Sequence, residues 1–189
     1  AEIRRILRRH VPDGILLSYY AMPYNDSAWY DHGVSIDLAG DIAEVLGFEA
    51  ISNYQKYWAL FIANMKLTRA VSEHKDGDVF FIRGFNRFID IYYWWLLGLS
   101  QGSHTYWSWY VANGIKPQRA QFIQWEMKHQ YFLAGMRSRA ETAVLLSSRS
   151  NNLIREPGGF INRSNSFVAL CGNLTMAQIP YKVLVDQDL

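Results

Sequence analysis

Few side chains in this 189-residue chain stand in patterns that do covalent chemistry. There is no Gly-x-Ser-x-Gly elbow, Walker loop, Gly-x-Gly-x-x-Gly turn or His-Glu-x-x-His pair, so nucleophilic, phosphoryl-transfer, dinucleotide and zinc-hydrolase chemistry all lack their usual framework. His10, His32, His74, His104 and His129 are scattered, which suits solvated histidines better than ligands. Cys171 is the only cysteine; it has no sequence neighbour to activate it and permits no internal disulfide. The residue types that remain suggest binding. Arg83 directly follows the apolar run Val79-Phe-Phe-Ile82, and a guanidinium at the carboxyl end of a strand can make a paired contact to a carboxylate where open α/β sheets bind ligands.

The elements that would position such groups are legible as an alternation. Ile15 to Tyr20, Phe48 to Tyr54 and Val79 to Ile82 read as strands, the last a continuous apolar run suited to a buried parallel strand. Between them, Leu38, Ile42, Val45 and Leu46 recur at helical spacing, with Asp37 placed to cap a helix over 37–46 and Gly47 to end it. A second helical pattern runs from Tyr57 to Val71, with Trp58, Phe61, Ile62 and Met65 on one side. This order predicts an α/β fold with mostly parallel sheets. A helical region follows Pro117, with Phe122, Trp125, Met127, Tyr131, Leu133 and Met136 as candidate buried residues. Residues 1–11 read as a short basic surface helix leading into the first strand.

Composition narrows the class further. Half the residues are apolar, 19% are charged and the formal net charge is +2, which leaves no basic footprint for nucleic acid. The run Tyr92 to Leu97 is too short to span a bilayer. A start at the small residue Ala1 is compatible with a processed export.

Gly14-Ile-Leu-Leu17, Met22-Pro-Tyr24, Gly33-x-x-Ile-Asp-Leu-Ala39, Ile42-Ala43 and Leu46-Gly47 together resemble the opening of the extracellular solute-binding proteins of family 3. The resemblance implies a two-lobed periplasmic-binding-protein-like fold, with residues 1–95 as the first α/β lobe, 96–175 as the second and 176–189 as a return segment. It implies a receptor without catalysis or cofactor that carries a small polar solute to an ABC permease. By the same resemblance Arg87 would anchor the ligand carboxylate, with Arg83 as competitor. Tyr24, Asn25 and Trp58 would be the first lobe's polar and aromatic contacts. Ser100-Gln-Gly-Ser-His-Thr105 resembles a turn that opens a helix, so that Gly102, Ser103 and His104 would offer free N–H groups to an anion. The family's ammonium-binding acid falls near Ser147, where no acidic residue stands, which favours a carboxylate over an α-amino acid.

Two alternatives accompany this reading. Pro23-Tyr-Asn25 is similar to a loop of the quinoprotein-dehydrogenase-associated subgroup, whose partner would be a periplasmic dehydrogenase. Arg87-Phe-Ile-Asp-Ile-Tyr-Tyr-Trp-Trp-Leu-Leu-Gly98 is similar to a helix of phycobilisome linker domains, an all-helical family of assembly proteins. An enzyme on the receptor fold would need an acid–base pair, and none is visible.

Overall fold

The computed structural model describes residues 2–14, 17–21, 43–49, 58–73, 78–83, 88–107, 116–133, 136–147 and 160–189. Over these residues the order is α1 (Glu2–His10), β1 (Leu17–Ala21), β2 (Val45–Glu49), α2 (Trp58–Glu73), β3 (Asp78–Arg83), α3 (Phe88–Ser100), β4 (His104–Trp107), α4 (Lys116–Lys128), α5 (Gln130–Leu133), β5 (Thr142–Leu146), α6 (Phe160–Met176) and β6 (Tyr181–Val185). A single 3-10 turn, Asp186–Asp188, follows β6.

The fold is mixed α/β. Strands β1 to β4 form one sheet in sequence order, and β5 pairs with β6 in a second. Every pairing is parallel, with Leu17 opposite Val45, Val45 opposite Asp78, Phe80 opposite His104 and Thr142 opposite Tyr181. Parallel neighbours need a long crossover, and α2, α3 and α6 lie between β2 and β3, β3 and β4, and β5 and β6 in the chain. The strands at Leu17–Ala21 and Asp78–Arg83 are ones that an all-helical linker domain does not accommodate.

Helix α2 is the centre of the molecule. It packs on β2 and β3 of the larger sheet and on β6 and α6 of the smaller unit. Residues Phe61 to Met65, together with Leu67, Thr68 and Ala70 to Ser72, are all buried, as expected of a helix covered on several sides rather than along one stripe. One continuous core therefore runs from Leu46 through Phe61 and Met65 to Phe167, Val144 and Val183, and no division into two lobes is shown. Helices α2 and α6 approach closely at Gly172, where a Cβ would come 3.0 Å from the Cβ of Ala59. At the other end of the core, Trp95 stacks on Phe122 at 4.5 Å and its indole N–H donates to Glu126 Oε1 at 2.6 Å.

Three readings of the sequence require correction. The helix expected over 37–46 does not extend to its end, because Val45 and Leu46 belong to β2 with Gly47 in mid-strand. A central parallel strand is buried on both faces and reads as an unbroken apolar run, so Val45-Leu-Gly-Phe48 satisfied a helical template by coincidence of spacing. Asp37, Leu38 and Ile42 lie outside the described residues, and the strand expected over 48–54 begins three residues earlier. Of the expected core after Pro117, Phe122 is buried and Leu133 half-buried, whereas Trp125, Met127, Tyr131 and Met136 are exposed, because α4 meets α3 chiefly through the Trp95–Phe122 stack.

The third concerns chain path. The aromatic run 91–95 lies inside α3, so the boundary drawn between 95 and 96 falls within a helix, and β4 beyond it joins the sheet of β1 to β3. Tyr181–Val185 is a strand, as expected, but it pairs with β5. At the other terminus, Arg8 holds α1 in place by donating to the carbonyls of Pro12, at 2.7 Å, and Gly14, and by pairing with Glu44.

Candidate functional site

A cleft of about 190 Å³ opens where α2, the α3–β4 turn, the segment before β5 and the start of β6 meet. Four cationic residues line it: Lys66 and Arg69 from α2, Arg137, and Lys182 from β6. No Asp or Glu is among the described residues that line it. Drug-sized ligands occupy pockets of roughly 300–1,000 Å³, so this one suits a small metabolite.

Each cation has a local reason for its place. Lys66 and Arg69 are three residues apart and share a face of α2. The Lys66 ammonium donates to the Tyr181 carbonyl at 2.7 Å and lies 4.4 Å from the centroid of the Tyr181 ring, so its stem crosses from α2 to β6 along the apolar wall. Burial lowers its pKa below the ordinary lysine value, and the neighbouring Cys171 thiol opposes that shift. Arg69 donates to the Gly102 carbonyl at 3.2 Å. Lys182 alternates with buried Tyr181 and Val183 and is exposed.

Behind the cleft wall sits a proton-retaining cluster. The Thr175 hydroxyl donates to the Cys171 carbonyl at 2.8 Å and lies 3.4 Å from the Tyr181 hydroxyl. Burial pushes the Tyr181 phenol up and the Cys171 thiol up to about 11. Neither group carries a negative charge near neutral pH, and the cleft keeps its positive character.

The Gly102 turn differs from its sequence reading. It ends α3 instead of opening a helix: the Ser103 N–H bonds the Gly98 carbonyl at 3.0 Å and the Gly102 N–H bonds that of Leu99 at 2.9 Å, with Gly102 at a φ of 70°. This is the six-to-one and five-to-two pattern of a helix C-terminus, so the N–H groups of Gly102 and Ser103 are consumed in capping. Ser103 is buried, and His104 starts β4 opposite Phe80.

The other expected contacts disperse. Arg83 ends β3 opposite Trp107, at the carboxyl edge of the sheet, whereas Gly102 precedes β4 at its amino edge. The three-residue step from the Phe80 pairing to the Arg83 pairing alone spans about 10 Å along the strands, so Arg83 and Gly102 lie at opposite edges of the sheet. Trp58 begins α2, half-buried, and does not line the cleft; Ser147 follows β5. Arg87, Tyr24 and Asn25 lie outside the described residues.

Of the residues named from sequence, the cleft thus gathers Gly102 alone, and its cations were not anticipated. One signal did exist: Lys66 and Arg69 are the only basic residues of α2, set on one face of a helix that is otherwise nearly all apolar. Comparison with known proteins found no matching family model, no matching curated protein and no matching solved structure.

Proposed function

We propose that this chain is a binding protein for a small polar, carboxylate-bearing solute, which it holds in the cleft beside Lys66, Arg69, Arg137 and Lys182 without changing it chemically. The observation that carries this is the four-cation lining with no acidic side chain among its described members. Such a lining raises the local concentration of anions and repels cations. The absence of a carboxylate among the described lining residues also disfavours an α-amino acid.

The wider setting in this proposal is a periplasmic or extracellular receptor that delivers its solute to an ABC importer, with a dehydrogenase as the alternative partner. Its support is the resemblance at Gly14-Ile-Leu-Leu17, Met22-Pro-Tyr24 and Gly33 to Ala39, together with parallel sheets on both sides of the cleft. In a two-lobed reading the β1–β4 and β5–β6 units would be the lobes, with α2 between them. Among the described residues no helix is long and apolar enough to cross a membrane.

Amide chemical-shift mapping with propionate tests the site. Shifts should gather at Gly102, Arg137 to Ser138 and Tyr181 to Val183. Shifts gathered around residues 83–87 would move the site to the carboxyl edge of the larger sheet, and no shifts at all would remove the proposal.

A further inference from the structure

We propose that the cleft is built for a dianion that lacks an amino group, a short dicarboxylate, in preference to a monocarboxylate or an amino acid. This rests on the carboxylate reading above and deepens it.

A monocarboxylate would place one negative charge against the four cations Lys66, Arg69, Arg137 and Lys182, whereas a dicarboxylate places two. The attraction scales with ligand charge, and the partly enclosed position of Lys66 and Arg69 limits screening by salt. Distribution supports the same choice. Lys66 is fixed to the Tyr181 carbonyl on the β6 side, whereas Arg69 is fixed to the Gly102 carbonyl on the α3–β4 side. Positive charge is thus presented at two walls instead of one point, which suits two separated carboxylates joined by a short carbon chain. Met136, an exposed member of the lining, offers apolar surface for that chain. Size points the same way, since about 190 Å³ lies below the roughly 300–1,000 Å³ of pockets that hold drug-sized ligands. An amino group on the ligand would face cations with no acid among the described lining residues to receive it.

The test is calorimetric titration with succinate, propionate, aspartate and inorganic phosphate at fixed ionic strength. Succinate should bind at least tenfold more tightly than propionate and more tightly than aspartate or phosphate. The exposed-residue variants Arg137→Gln and Lys182→Gln should weaken succinate more than propionate, so that discrimination narrows. Propionate within threefold of succinate would overturn the dianion inference while leaving the carboxylate reading in place. Phosphate tighter than succinate would overturn it in favour of a single compact dianion. If no carboxylate binds, the underlying reading fails together with it.

Discussion

Lys66 and Tyr181, 115 positions apart in the chain, are joined twice, by a 2.7 Å hydrogen bond from the ammonium to the backbone carbonyl and by a 4.4 Å approach of the ammonium to the ring centroid. The pair links the central helix to the smaller sheet and sets one wall of the cleft. Truncation to Lys66→Met keeps most of the stem but removes both contacts. It should lower stability by about 2 kcal/mol, in the range of one hydrogen bond made by a charged group, and weaken anion binding as well. Denaturation and titration of the same variant check the two effects.

Alkaline pH should destabilise the fold. Cys171 has an ordinary thiol value of 9.0 and a folded value of about 11, and Tyr181 is raised in the same sense. An acid whose folded pKa lies above its unfolded one holds its proton longer in the native state, so its contribution is present below pH 9 and is lost as pH rises toward 11. Lys66 acts oppositely, since its lowered pKa makes the unfolded state bind more protons and raises stability with pH. Two acids against one base leave a net loss, with a thiol share on the order of 2 kcal/mol. Midpoints measured from pH 8 to 11 in wild type and Cys171→Ala should fall less steeply in the variant. At pH 8 the thiol should react with a disulfide reagent only after unfolding, because Cys171 is fully buried.

The helix ends provide a matched pair. Gly102 has a φ of 70° and Gln178 a φ of 56°, and both terminate helices with the same bonding, Ile179 N–H to the Leu174 carbonyl repeating Ser103 N–H to that of Gly98. A Cβ at Gly102 would meet nothing nearer than 3.9 Å, so Gly102→Ala should cost about 1 kcal/mol through backbone conformation alone. Gln178→Gly should gain a similar amount. Equal and opposite midpoint shifts would be the expected result.

Close packing of α2 and α6 predicts coupling. Gly172→Ala gains about 1 kcal/mol of helix propensity but forces the two Cβ atoms to 3.0 Å, where overpacking costs about 1–3 kcal/mol. The single substitution should lower stability, and adding Ala59→Gly should relieve the clash. A double-mutant cycle reads the coupling, and additivity would show that the helices simply separate.

Parts of this molecule were legible in its sequence for identifiable reasons. Val79 to Ile82 is a four-residue apolar run after the turn residues Lys75 to Asp78, and it became β3. The Trp58 helix was found because Phe61, Ile62 and Met65 keep helical spacing. Val45 and Leu46 were misassigned because a short apolar stretch fits a helix and a buried strand equally well, and only the pairing with Leu17 and Asp78 decides. Gly102 was legible as a turn but not in its direction. The cleft was the least visible part: Lys66, Arg69, Arg137 and Lys182 come from three distant stretches, and no local pattern reports that α2 packs on β6.

The cations of this cleft should hold an anion. Calorimetric titration of succinate into wild type and into Arg69→Gln/Arg137→Gln, with denaturation midpoints measured alongside, tests it most directly. Loss of two charged partners should weaken binding at least tenfold, or about 1.4 kcal/mol, in protein that still unfolds cooperatively. Succinate bound equally well by both proteins would contradict the claim and place the binding site elsewhere in the chain.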